Sequence, residues 1–234
     1  MDPMTNESER EPSVKAVLLD LGGTLVSTTE IPEVYRRILG AHGIKRSVEE
    51  ISQAQKEVEK QLDIQELAVL FEEYWIRWNL LILRRLGIEE NAEALAQKIA
   101  DRWWDYADVM LYPDVEETLQ KLRVMGVKMG IVTNGLKSDY RQILEKVGLL
   151  DFFDVKVGID NVGKMKPDRD IFLYALNELD ASPSETLFVG DQLLEDYEGA
   201  RKAGLTPLLI DRDNVIGSNV EKIRSLKEIM NYLR

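Results

Sequence analysis

Short apolar runs punctuate this chain at Val14–Leu19, Val127–Val132, Phe152–Val157, Thr186–Val189 and Pro207–Ile210. Each is of strand length and rich in Val, Ile, Leu or Phe, the composition of strands buried on both faces. Helical spacing follows most of them. Over Lys137–Val147 the apolar positions Tyr140, Ile143, Leu144 and Val147 fall on one stripe, and Gly148 supplies a C-terminal stop. Asp170–Leu179 and Tyr197–Ala203 repeat that pattern, the second ending at Gly204, and Asn219–Leu233 reads as a closing helix. Strands alternating with helices predict an α/β fold, a doubly wound parallel sheet covered on both faces.

The rhythm breaks between Pro32 and Met110. This stretch has no strand-like run and no glycine between Gly43 and Gly87. Leu67, Leu70, Phe71, Tyr74, Trp78 and Leu81 recur at helical spacing, and so do Leu95, Ile99 and Trp103, which predicts roughly four helices. All four tryptophans, Trp75, Trp78, Trp103 and Trp104, lie here. Core and interface packing is the ordinary role of such residues; lining a substrate pocket is the sharper one. Inserted after the first strand, these helices would stand over the carboxyl edge of the sheet, where open α/β folds bind ligands. The expected organisation is a disordered lead-in at 1–13, an α/β core from 14–29 and 111–234, and an all-helical insertion at 30–110.

Composition narrows the possibilities. A chain of 234 residues holds one domain with a substantial insertion, or two small domains. With 44% hydrophobic and 31% charged residues it has the makings of a soluble core. A formal net charge of −12 argues against nucleic acid as a partner, because that binding rests on neutralising phosphates. The absence of cysteine excludes disulfides and thiolate chemistry, and the single histidine, His42, argues against a multi-histidine metal site or a Ser-His-Asp triad. No apolar run approaches the roughly 20 residues that span a bilayer, and the polar first 13 residues do not resemble a signal peptide. A cytoplasmic location without a membrane partner is expected. The sequence leaves the oligomeric state open.

The candidate chemistry sits at the ends of the predicted strands. Asp20 closes the first run, in Asp20-Leu21-Gly22-Gly23-Thr24. Thr133 closes the second, in Gly130-Ile131-Val132-Thr133-Asn134-Gly135, and Lys166 follows the third, in Gly163-Lys164-Met165-Lys166-Pro167-Asp168. Asp191 closes the fourth, in Gly190-Asp191-Gln192-Leu193-Leu194-Glu195-Asp196. A parallel sheet would gather all of these at one edge. The carboxylates would form a hard oxygen site suited to Mg²⁺, and the hydroxyl, ammonium and glycine-flanked amides would hold a phosphate. A rival motif, Gly158 to Lys164, matches most of a nucleotide-binding P-loop. Met165 stands where that loop needs a hydroxyl, and Pro167 disfavours the required helix.

In order and spacing these motifs resemble the haloacid dehalogenase superfamily, chiefly its phosphatases with a helical cap inserted after the first strand of a Rossmann-like core. The resemblance covers nearly all of the chain from Val14. It implies Asp20 as nucleophile, forming an aspartyl-phosphate, with Thr133 and Lys166 holding the transferring group alongside Asn134 and Gly135. It implies Mg²⁺ held by Asp20, Asp191, Asp196 and the Gly22 carbonyl, with a small phosphorylated metabolite as substrate. The departure is Gly22, where phosphatases of the family carry an aspartate that protonates the leaving oxygen and later activates water. Such acid–base help is worth roughly 10²–10⁴ in rate. Three outcomes follow: turnover restricted to good leaving groups such as acyl or aryl phosphates, replacement of the acid by water or a cap residue (Glu30, Tyr35 and His42 are the weak candidates), or a phospho-ligand-binding or regulatory protein with little turnover. Carbon chemistry is a further alternative. Family dehalogenases place an aromatic residue at the Gly22 position, and phosphonate-cleaving members need a cap lysine, for which Lys45, Lys56 and Lys60 are available. Arg36, Arg37 and Arg141 are further candidates for touching a substrate anion.

Overall fold

The structure, a computed structural model, describes residues 14–217 and 219–233; the lead-in expected at 1–13 lies outside them. In chain order, β1 (Ala16–Leu19) and β2 (Val26–Thr28) precede five helices: α1 (Ile31–Ala41), α2 (Val48–Glu59), α3 (Leu67–Leu70), α4 (Glu72–Arg85) and α5 (Ala92–Tyr106). There follow β3 (Val109–Leu111), α6 (Val115–Val124), β4 (Lys128–Val132), α7 (Lys137–Lys146), β5 (Val155–Val157), α8 (Arg169–Leu179), β6 (Thr186–Gly190), α9 (Gly199–Lys202), β7 (Thr206–Ile210) and β8 (Lys222–Ile223).

Six strands form one sheet in the order β5-β4-β1-β6-β7-β8, and every pairing in it is parallel. The strand residues are apolar enough to bury both faces. Ala16 and Leu18 join a core on one side of the sheet, while Val17 and Leu19 join a second core on the other, as the alternation of a strand requires. The first core continues without a break into the buried face of the helical segment, through Tyr35, Leu39, Trp78, Ile82 and Ile99. The register pairs Leu19 with both Ile131 and Val189. The residues just beyond β1, β4 and β6 therefore emerge side by side at one sheet edge.

The segment between β2 and β3 is helical as its periodicity predicts, with four long helices and the four-residue α3. Ser47 and Glu50 start α2 with a reciprocal capping box, the Ser47 Oγ accepting from the Glu50 N–H at 3.2 Å. Phe71, at φ 50, separates α3 from α4. The two ends of the segment meet in an antiparallel ribbon that pairs Val26 with Leu111 and Thr28 with Val109. Its second strand, β3, begins at Val109, inside the stretch from Pro32 to Met110 expected to hold no strand-like run, because a three-residue strand is too short to show a period.

Two more expectations change. Asn219–Leu233 is not one helix. Its start supplies β8, which pairs with β7, and a 3₁₀ helix covers Leu226–Tyr232. Tertiary contacts override the helical pattern here, since the Asp114 carboxylate accepts the Leu226 N–H at 2.7 Å and the Ser225 hydroxyl at 2.8 Å. The helix expected at Tyr197–Ala203 begins earlier, as a π-helical turn over Leu193–Glu198 that leads into α9. Among the described residues, no helix is long and apolar enough to cross a membrane.

Candidate active site

Asp20 leaves β1 with its N–H bonded to the Val189 carbonyl at 2.9 Å, so its position is fixed by the central strands. The turn behind it depends on Gly23. At φ +76 that residue has a left-handed backbone, and a Cβ there would overlap the Asp191 carboxylate. Gly22 is different. Its backbone is ordinary, and a Cβ built on it meets nothing within 4 Å.

Lys166 reaches this point from the loop after β5. Its backbone is pinned by the Asn134 side chain, which donates to the Lys166 carbonyl at 3.1 Å and accepts its N–H at 2.7 Å. The Lys166–Pro167 peptide is cis, and α8 begins at Arg169 with Asp168 as its N-cap. The ammonium of Lys166 is buried, 2.5 Å from Asp20 Oδ1 and 2.6 Å from Asp196 Oδ1. Its underside faces the Phe188 ring, 5.6 Å from the centroid.

Asp191 and Asp196 come from β6 and the π-helical turn. Both turn and strand are shaped around Asp196, since a Cβ on Gly190 would overlap its carboxyl group. The Asp196 carboxylate accepts the Gln192 N–H at 2.9 Å, and the Gln192 amide donates to Asp191 at 2.8 Å. Carboxylate oxygens of Asp20, Asp191 and Asp196 all lie within 4.8 Å of one another. Three acids, Asp20 and Asp196 buried and Asp191 partly so, thus share one corner with the Lys166 ammonium.

The electrostatics reflect that imbalance. Burial, with the neighbouring Asp196 and Asp191 charges, lifts Asp20 to about 7 against the pull of Lys166. Asp191 is also raised, first by burial and then by Asp196. Burial alone would lower Lys166, but the carboxylates of Asp196 and Asp20 outweigh it and hold the ammonium above the usual lysine range. A hard divalent cation fits this set, because it would offset the excess negative charge with oxygen ligands.

Thr133 ends β4 with its N–H bonded to the Val157 carbonyl at 3.0 Å and its hydroxyl accepting the Gly135 N–H at 3.2 Å. The Asn134 side chain is engaged with the Lys166 backbone through both its amide nitrogen and its amide oxygen. Of the candidate acids, Tyr35 donates its hydroxyl to Asn79 at 2.5 Å and is held well above its usual range by burial. His42 bonds the Ile38 carbonyl at the end of α1, and Glu30 is an exposed residue ahead of that helix. Arg36 and Arg37 pair with Glu33, and Arg141 lies 3.7 Å from Glu145. The P-loop-like stretch forms a 3₁₀ turn at Ile159–Asn161, and Lys164 sits 3.5 Å from Asp168.

A cavity of about 590 Å³ adjoins the cluster through Leu21, Gly22 and Thr133 and is roofed by Tyr35 and all four tryptophans. Asp20 itself does not line it. Sequence reasoning missed the cavity's extent, the Asn134 contact with the Lys166 backbone, and Gln192. Only the adjacency of Gln192 to Asp191 hinted at it.

Comparison with known proteins identifies the family. The family model for haloacid dehalogenase-like hydrolases matches residues 14–204. A glyceraldehyde 3-phosphate phosphatase from Methanopyrus kandleri is 31% identical over 94% of this chain and 98% of its own length. A phosphoglycolate phosphatase from Nitrosospira multiformis is 31% identical over 82% of this chain and 78% of its own. Among solved structures, a haloacid dehalogenase-type phosphatase from Thermococcus onnurineus superposes with a TM-score of 0.67 at 31% identity, covering 94% of this chain and 98% of the other. The chain belongs to the haloacid dehalogenase-like hydrolases.

Proposed function

We propose that this protein is a Mg²⁺-dependent phosphatase acting on a small phosphorylated metabolite through an aspartyl-phosphate at Asp20. The observation that carries the reading is the buried cluster itself. The Asp20 carboxylate, 2.5 Å from Lys166 Nζ, stands with Asp191 and Asp196 at the carboxyl edge of the sheet. Curated relatives over most of the chain are phosphatases.

Asp20 attacks phosphorus, and the P–O bond to the leaving alcohol breaks as the Asp20–phosphorus bond forms. Water then cleaves the acyl-phosphate, returning the carboxylate and releasing inorganic phosphate. Lys166 neutralises Asp20 and the equatorial phosphoryl oxygens, while the Thr133 hydroxyl and the Gly135 region hold them. Asn134 keeps Lys166 in place. Asp20, Asp191, Asp196 and the Gly22 carbonyl would hold Mg²⁺, which when bound supplies charge neutralisation at the transferring phosphoryl group. The helices between β2 and β3 would act as a cap, moving on the β2–β3 ribbon and excluding water during the reaction.

Gly22 supports a second reading, a phospho-ligand sensor with little turnover. Both readings meet one assay, phosphate release from p-nitrophenyl phosphate with Mg²⁺ and then with EDTA. Turnover that needs Mg²⁺ and is lost in Asp20→Asn is the expected result. A folded protein that binds Mg²⁺ and phosphate without turnover would favour the sensor.

A further inference from the structure

We propose that the substrate's leaving group is a planar, apolar alcohol of low pKa, so that the enzyme takes aryl phosphates in preference to small anionic sugar or acid phosphates. This rests on the phosphatase reading of the same site and deepens it. Two independent observations converge at Gly22.

The first is chemical. Gly22 has no side chain to protonate a leaving oxygen. Of the acids that line the cavity, Tyr35 has its hydroxyl committed to Asn79, Tyr140 donates to the Lys156 carbonyl, Asp139 accepts from Trp104 Nε1 and the Leu136 N–H, and Glu72 and Asp101 are exposed. An alkyl alcohol needs that proton. A phenol, which ionises near pH 10 as tyrosine does, departs as the phenolate, taking the electron pair of the broken P–O bond and collecting its proton from water afterwards.

The second is the cavity that Gly22 itself lines. Aromatic rings make up much of its wall: Trp75 and Trp78 meet edge-on with ring centroids 5.9 Å apart, and Tyr35 meets Trp103 edge-on at 5.3 Å, among polar side chains such as Asn79, Gln97 and Ser138. Such walls recognise a ring by area burial and by offset or edge contacts. At about 590 Å³ the space is far larger than a three-carbon chain requires. The charge is equally selective. Glu72, Asp101 and Asp139 line the cavity, and among the described residues no lysine, arginine or histidine does. A carboxylate or second phosphate on the leaving group would find no lining cation as partner and would meet the acidic Glu72 and Asp101. An alkylammonium alcohol would suit the charge, but it retains the poor leaving group.

The test compares kcat/KM of the full chain with Mg²⁺ for 1-naphthyl phosphate, phenyl phosphate, glyceraldehyde 3-phosphate and phosphoglycolate. Both aryl esters are expected to exceed the other two by at least about 100-fold, the lower end of what a missing acid costs. The larger ring is expected to beat phenyl by about tenfold through burial in the pocket. In Asp20→Asn, calorimetry should give 1-naphthyl phosphate a Kd at least about tenfold tighter than inorganic phosphate. Equal or better turnover of glyceraldehyde 3-phosphate or phosphoglycolate overturns the aryl preference and leaves the phosphatase standing. No phosphate release from any of the four overturns the phosphatase reading, and the aryl preference with it.

Discussion

At the scale of single residues, Gly22 and Asp20 carry most of the consequences. The space around Gly22 is open and its backbone is ordinary, so an aspartate fits there without strain. Gly22→Asp is expected to raise kcat on alkyl phosphates by about 10² or more, read by phosphate release. An unchanged rate would mean that the proton is supplied elsewhere. Asp20 makes a pH-dependent contribution in metal-free protein. Its carboxyl is raised from 3.8 to about 7 in the fold, so between those values the folded protein holds the proton that the unfolded chain has released. Stability therefore falls through this group as pH rises across that window. With EDTA present, the Tm of Asp20→Asn relative to the natural protein should climb from about pH 4 to about 7 and then level off. A difference independent of pH would refute the raised carboxyl.

At the scale of elements, the strand ends matter more than the strands. β6 must end in glycine because the Asp196 carboxyl group occupies the space a Cβ would take. Gly190→Ala should push Asp196 away from Lys166 and weaken Mg²⁺ binding, measured by calorimetry, at a cost of about 1–3 kcal/mol in stability from overpacking. Unaltered Mg²⁺ affinity would remove Asp196 from the metal site. The π-helical turn that follows is a common device at functional sites, and here it brings Asp196 back to the Gln192 N–H and to Lys166. Between the helical segment and the core, α5 and α7 are joined where Trp104 Nε1 donates to Asp139 at 2.8 Å. The Asp139 carboxyl sits above its usual range, mainly through burial.

At the scale of the molecule, two features tie the parts together. Mg²⁺ bound by the folded state alone should raise Tm with concentration, by the equivalent of about 2.7 kcal/mol at 100 times its Kd. Scanning calorimetry across a Mg²⁺ series checks this, and a flat response would count against the site. Asp114 at the start of α6 receives both Arg212 contacts, at 2.8 and 3.0 Å, together with Ser225 and the Leu226 N–H. Arg212 also donates to the Thr24 carbonyl at 2.7 Å, on the turn after Asp20, and stacks 3.9 Å over Tyr112. Asp114→Ala would leave that guanidinium without its partner and should cost about 3 kcal/mol or more in denaturant unfolding. A change below about 0.5 kcal/mol would place the network among ordinary surface pairs.

The sequence by itself determined the sheet, most of its helices and the residues that meet at its edge. Burial on both faces demands continuous apolar runs, and a parallel order sends every strand end the same way, so Asp20, Thr133 and Asp191 were legible in the chain. Lys166 and Asp196 were legible from motif spacing, although their 2.6 Å contact was not. The tertiary structure alone decided the short pieces and the empty space. β2, β3 and β8 are two or three residues long and owe their form to pairing partners distant in the chain. The final segment follows Asp114 rather than its own helical period. The cavity belongs to no local pattern, because it is the gap left where Trp75, Trp78, Trp103 and Trp104, all readable as packing residues, close over the strand ends.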